Sequence, residues 1–233
     1  MPSETIRLFT GYDLREAIGW HAFVQSVIET SPEPVSITKL SGDQRDGTNT
    51  FTYARFLTPY YCNYEGWAIF ADGADMLLRS DLRELWSLRD PRYAVQVVKH
   101  AYKTKHRRKY LGTEMEADNF DYPCKNWSSL VLWNCAHPEN QRVTREFVQF
   151  GGGELLHRFG WLADDLIGGL PMEWNWLVGE YPYNPRAKIA HFTLGIPAFG
   201  HYRECDYADE WFTAAGLTGE RAASERAMEK SHV

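Results

Sequence analysis

Apolar and polar positions along the chain switch between a period of two and a period near 3.6. Residues 6–9 form a short apolar-rich run, 10–11 (TG) a turn signal, and Asp13 with Glu16 three positions on has the form of a helix N-cap. Ala17, Trp20, Val24, Val27 and Ile28 then recur at helical spacing until residues 31–34 (SPEP) end the element. Residues 35–40 alternate as a second strand, and 41–49 read as a polar loop. Residues 52–62 show helix-like aromatic spacing broken by Pro59, and residues 66–70 (GWAIF) read as a buried strand that runs straight into 71–75. Asp81 caps a short predicted helix through Trp86, and 93–98 and 128–133 read as further strands. The polar, irregular stretch 106–125 between them predicts a long mobile loop. Residues 139–150 predict a helix stopped by Gly151, Gly152 and Gly153, with a late strand at 188–192 and a short final helix beyond. Strands alternating with helices predict an α/β layer fold with a mostly parallel sheet. Residues 1–217 read as one domain and 218–233 as a charged, frayed tail.

Composition narrows the partners. A chain of 233 residues is long enough to bury a core as one domain. Its net charge of −6 argues against a nucleic-acid partner, which needs a basic face. The basic run 103–109 (KTKHRRK) is local and reads as a solvated loop. Nine Trp suit either a core or a sugar-stacking surface. Cys62, Cys124, Cys135 and Cys205 form no C-x-x-C pair, no stretch approaches membrane-spanning length, and none reads as a signal peptide. A cytoplasmic protein with reduced thiols is the expectation.

Ligands of open α/β sheets gather beyond the carboxyl ends of strands, where residues 10–13 and 72–75 both lie on this reading. Asp72 and Asp75 in one tight turn repel each other, and a cation beside them relieves that repulsion. Oxygen ligands of this kind suit Mn²⁺ or Mg²⁺ with substrate phosphates completing the shell. The plainer alternative has Asp72 capping a turn and Asp75 facing water. His191, at the end of the late strand, is either a hydrogen-bonded structural residue or a neutral imidazole ligand. His100, ending YAVQVVKH, reads as structural.

Four stretches in this order, IRLFTGYD, TYARFLTPYY, AIFADGADMLLRSDLRELW and IAHFTLGIPAF, resemble the retaining glycosyltransferases of family 8. The resemblance implies a single-domain A-type nucleotide-diphospho-sugar transferase fold, Rossmann-like, with a mixed and mostly parallel central sheet flanked by helices. It assigns Thr10, Gly11, Tyr12 and Asp13 to the nucleotide, Tyr53 and Arg55 to donor support, and His191 with the acidic turn to the metal. The family pattern is Asp-x-Asp, whereas this chain reads Asp72-Gly-Ala-Asp75. Asp75 falls on the second family aspartate and Gly73 on the first, so Asp72 reaches the metal or the ribose only if the turn bulges at Gly73. The family's late Lys before Pro is absent, Ile196 preceding Pro197 here. Lys188, His201 or the basic run stand as substitutes.

The run KNWSSLVLWN resembles the family strand that meets the donor sugar, which marks Lys125, Asn126, Ser128 and Ser129 as hydroxyl partners. Asp165, with Asp164 as its alternative, follows RFGWL and takes the family's acidic catalytic place near the reacting carbon. MEWNWL sets Asn175 between two Trp, as a sugar contact or as core and lid packing. The implied activity is metal-assisted transfer of a glycosyl group from a nucleotide-sugar donor, a UDP-sugar favoured, to a carbohydrate or other hydroxyl acceptor, with retention. Two other classes remain open: a metal-dependent phosphohydrolase, and a non-catalytic Trp-rich carbohydrate-binding protein.

Overall fold

A computed structural model describes residues 4–42, 45 and 49–218. Its strands along the chain are β1 (Ile6–Gly11), β2 (Val35–Leu40), β3 (Trp67–Ala71), β4 (Met76–Leu78), β5 (Val95–Val97), β6 (Arg108–Lys109), β7 (Ala117–Asp118), β8 (Leu130–Asn134), β9 (Ile167–Gly169), β10 (Trp176–Leu177) and β11 (Ile189–His191). Six of them form the central sheet in the order β2–β1–β3–β8–β5–β9. Three of its five pairings are parallel, and β8 runs antiparallel to both β3 and β5. The α-helices are α1 (Ala17–Thr30), α2 (Thr58–Tyr61), α3 (Leu82–Trp86), α4 (Arg145–Phe150), α5 (Gly153–His157) and α6 (Ala208–Ala214). The expected α/β class and mixed, mostly parallel sheet are both present.

Side chains of a strand point alternately to the two faces of its sheet, and here both faces are covered. Ala68 and Phe70 of β3 and Val131 and Trp133 of β8 join one core with Phe56 of the 3₁₀ turn Ala54–Leu57 before α2, Val148 of α4 and Leu156 of α5. Ile69, Ala71, Leu130 and Leu132 face the opposite core, closed by Phe23 and Val27 of α1 and Leu82, Leu85 and Trp86 of α3. A second sheet, β10–β11–β4, pairs β11 antiparallel to β4, setting His191 opposite Met76 and so beside Asp75. Among the described residues, no helix is long and apolar enough to cross a membrane.

Several elements depart from the pattern-based expectation. β1 continues through Thr10 and Gly11, because both pair with β2. Asp13 caps a 3₁₀ turn, Leu14–Glu16, rather than α1 itself. That turn shifts the phase of α1, so Ala22, Phe23, Ser26 and Val27 are buried and Ile28 is 63% exposed. Pro59 sits in the first turn of α2, where its missing N–H costs nothing, instead of breaking a longer helix. The 139–150 helix divides into a 3₁₀ turn (Pro138–Arg142) and α4, which Thr144 caps, and Gly153 opens α5. The stretch 106–125 holds the β6–β7 hairpin and buries Tyr110 and Met115; it is pinned by Tyr110 N–H donating to the Leu194 carbonyl (2.6 Å) and Asn119 N–H to that of Arg107 (2.8 Å). It forms a wall of the site below. The expected tail from 219 onward lies outside the described residues.

Candidate active site

The site begins where β3 ends. Asp72 N–H donates to the Ser129 carbonyl (2.9 Å), Ala74 N–H to Asp72 (2.7 Å), and Met76 N–H to Gly73 (3.2 Å). Gly73 holds φ at +69°, and a Cβ there would lie 1.8 Å from Thr10 Oγ1. Only glycine fits this turn without displacing β1. The turn folds back on itself, and Asp72, Asp75 and His191 each offer a buried ligand atom within 4.8 Å of the others. The extra residue between the aspartates is therefore absorbed by the bulge, and both carboxylates reach the cluster.

Hydrogen bonds fix how His191 meets Asp75. The Asn175 amide nitrogen donates to Ser129 Oγ (2.8 Å) and the Asn126 carbonyl (3.2 Å), which turns its oxygen toward His191 Nδ1 (2.8 Å). Nδ1 must then carry the hydrogen. In a neutral ring Nε2 therefore points a lone pair at Asp75 Oδ2, 3.2 Å away, while Asp75 Oδ1 is buried without a hydrogen-bond partner. A lone pair facing a carboxylate is repulsive, and either a second proton on the ring or a cation beside the pair relieves it. One nitrogen and two carboxylates, with the second ring nitrogen held by an amide oxygen, form a donor set suited to Mn²⁺ or Mg²⁺.

Charges around the cluster are unevenly compensated. Arg55 Nη1 lies 2.6 Å from Asp72 Oδ1 and donates to the Ser128 carbonyl (3.1 Å). Burial nonetheless raises Asp72 to about 7, opposed by Arg55 and reinforced by the Asp75 charge. Glu16 is fully buried with neither carboxylate oxygen hydrogen-bonded, and burial followed by the charge of Asp75 pushes it well above its ordinary value. Lys109 faces the same carboxylates; burial lowers its ammonium, against the pull of Asp75, Glu16 and Asp72.

A cavity of about 480 Å³ opens over this cluster, walled by nine of the residues expected from sequence: Tyr53, Arg55, Asp72, Asp75, Lys125, Asn126, Ser128, Ser129 and His191. Their polar atoms are already ordered. Lys125 Nζ donates to Asn119 Oδ1 (2.7 Å), Asn126 Nδ2 to the Tyr102 hydroxyl (3.0 Å), and Ser128 Oγ bonds His157 Nδ1 (2.7 Å). Other expected residues are not brought to this wall. Thr10 is fully buried against the turn, and Gly11 packs on Phe51. Tyr12 packs edge-on to Trp20. The Asp13 carboxylate is occupied by Arg15 and by the Thr50 N–H. Asn175 is buried behind His191 and orients it, so its amide is taken up within the protein rather than presented to a sugar. Asp164 and Asp165 are exposed in a 3₁₀ turn outside the cavity lining. His100 is buried, its Nδ1 bonded to the Tyr181 hydroxyl (3.0 Å) and its Nε2 without a hydrogen-bond partner, with burial lowering it to about 3.

Lys109, Tyr110, Asn119 and His157 line the cavity, and Glu16 lies beneath it, without having been singled out from sequence. The signal for Lys109 is the basic run, which reads as a solvated loop and also stands among the substitutes for the absent late Lys; hairpin pairing turns its last residue inward.

No protein-family model matches the sequence. Protein CDI of Arabidopsis thaliana is 38% identical over 222 residues, covering 88% of this chain and 84% of that protein. Among solved structures, the apo form of the glycosyltransferase GlyE of Streptococcus pneumoniae TIGR4 superposes with a TM-score of 0.61 at 12% identity, over 98% of this chain and 64% of that one. The galactosyltransferase LgtC, solved with donor and acceptor sugar analogs, gives 0.57 at 14% identity over 91% of this chain and 95% of its own. The chain spans half of the bifunctional glycosyltransferase WbbM, at a TM-score of 0.56 and 15% identity. A fold shared at such low identity is carried by layer order rather than by side chains. The chain has the A-type glycosyltransferase fold and belongs to the family of Arabidopsis protein CDI.

Proposed function

We propose that this protein is a metal-dependent glycosyltransferase that moves a sugar from a nucleotide-diphosphate donor, a UDP-sugar favoured, to an acceptor hydroxyl with retention. The observation that carries the reading is the convergence of the buried His191 Nε2, 3.2 Å from Asp75 Oδ2, with Asp72 on the wall of the cavity. Asp75 and His191 would hold Mn²⁺ or Mg²⁺, with Asp72 as third ligand. A bound divalent cation supplies Lewis-acid stabilisation of the charge that grows on the departing diphosphate. Arg55 offsets part of the burial cost of Asp72 and so favours its ionised, ligating form. Lys125, Asn126, Ser128 and Ser129 form the polar wall on which the donor sugar's hydroxyls would bond. That LgtC was solved with donor and acceptor sugar analogs supports a two-substrate reading of the same cavity.

Thermal denaturation with UDP, GDP, CDP and their sugars, each with and without Mn²⁺, tests the reading. A ligand at 100 times its Kd adds about 2.7 kcal/mol to stability, a shift of several degrees. At least one nucleoside diphosphate should stabilise the protein only when metal is present. Stabilisation by none of them, or release of inorganic phosphate from simple phosphoesters, abandons the transferase reading.

A further inference from the structure

Four lysine and arginine side chains line the cavity: Arg55, Lys109, Lys125 and Arg158. Arg55 is paired with Asp72, Arg158 with Glu154, and Lys125 donates to Asn119 with Asp121 at 4.0 Å. Among the described residues, Lys109 alone of the four makes no hydrogen bond or ion pair. The distinction is built into its strand. β6 pairs with β7 so that Lys109 lies opposite Ala117, and alternation sends Arg108 outward, where it pairs with Glu116 (2.8 Å). Immediately after Lys109 the chain turns through Tyr110 at φ +56°. It is then tied down by Tyr110 N–H to the Leu194 carbonyl (2.6 Å) and Leu111 N–H to the Tyr202 hydroxyl (3.1 Å). Lys109 is therefore held against the cavity by a pinned backbone, with the Tyr110 ring (5.1 Å to its centroid) in contact and the carboxylates of Asp75, Glu16 and Asp72 acting on it without an ion pair. A half-buried ammonium with no anion in contact is costly, and the cost is recovered when a ligand supplies one.

We propose that Lys109 is the cationic contact for the donor's diphosphate, placed in the cavity by the β6–β7 hairpin and replacing the charge absent at Ile196. The inference rests on the donor reading above. Lysine suits the task as a compact point charge whose three donors adapt to phosphate oxygens.

The test compares wild type, K109M and K109R by calorimetric titration with UDP, GDP and CDP and with the matching nucleosides, all with Mn²⁺. Mn²⁺ binding itself is followed by electron paramagnetic resonance, and folding by unfolding midpoint. Loss of a charge-assisted contact predicts a drop of about 10- to 100-fold in nucleoside-diphosphate affinity for K109M. K109R should keep part of that affinity. Nucleoside affinity should stay within about twofold in both variants, and Mn²⁺ affinity should not fall in K109M, since removing a positive charge that acts on Asp75 and Asp72 favours a cation there. Unchanged diphosphate affinity in K109M overturns the role of Lys109 and leaves the transferase reading standing. A drop in Mn²⁺ affinity of the same size, in K109M and K109R alike, also overturns it, by making Lys109 part of the frame. Wild-type protein that binds no nucleoside diphosphate removes both readings together.

Discussion

Single residues in this site act through what they hold in place. Asn175 contributes an acceptor that leaves His191 Nε2 free for a cation. Asn175→Leu should lower Mn²⁺ affinity by about 10- to 100-fold, the usual effect of removing such an orienting partner. Asn175→Asp, which keeps an acceptor oxygen, should retain most of it; equal loss in both variants argues against the orienting role. Glu16 makes a separate prediction through its proton. The unfolded chain gives up that proton near 4.5, while the folded chain keeps it to higher pH. The folded state binds more protons in that window, so stability is lost as pH rises from 4.5 through the folded value. Glu16→Gln removes this dependence. Its stability in urea at pH 8 should exceed wild type by at least about 1 kcal/mol, with the difference vanishing near pH 4. A constant difference across pH would remove the buried carboxylate as its source. No feature of the one-dimensional pattern marked Glu16, because a Glu three residues after an Asp is the ordinary capping signature and burial is decided by packing of α1 on the acidic turn.

Short elements were legible in proportion to how locally their cause acts. The α3 helix and its Asp81 cap follow from neighbouring residues, and β2 matches its alternating run residue for residue. The acidic turn depends on a strand distant in sequence: Gly73 is required by Thr10, which lies on the neighbouring strand β1. Gly73→Ala imposes a positive φ on a residue with a Cβ and a clash with Thr10 Oγ1, and should cost at least about 1–3 kcal/mol in chemical denaturation. Adding Thr10→Ala should recover the clash but not the backbone strain. If the double variant is no more stable than Gly73→Ala alone, the Thr10 contact is not what selects glycine. The hairpin at 108–118 was read as a mobile loop because its strands are two residues each, too short for any periodicity to show.

At the scale of the whole molecule, the cluster joins chain segments more than a hundred residues apart. Asp75 follows the third strand of the central sheet, His191 ends the last strand of the second, and Phe192 N–H donates to the Asp75 carbonyl (2.7 Å). A cation held by both should therefore slow local opening between β4 and β11. Amide hydrogen exchange at Phe192, and at Val178, which donates to the His191 carbonyl (2.9 Å), should slow with saturating Mn²⁺ in wild type and not in Asp75→Asn. Equal exchange with and without metal would separate the cluster from the joint.

The sequence by itself determined the layer class, the positions of the main strands, and the residue types able to meet a cation, because periodicity and the chemistry of Asp and His are local properties. Tertiary structure decided which of those residues converge. The bulge at Gly73 admits Asp72, and Asn175 sets the tautomer of His191. Hairpin pairing turns Lys109 inward, while Asp13 is occupied by its neighbours and Asp164 and Asp165 stay on the surface. Each of these outcomes depends on strand pairing and burial between segments far apart in the chain, which no local pattern encodes.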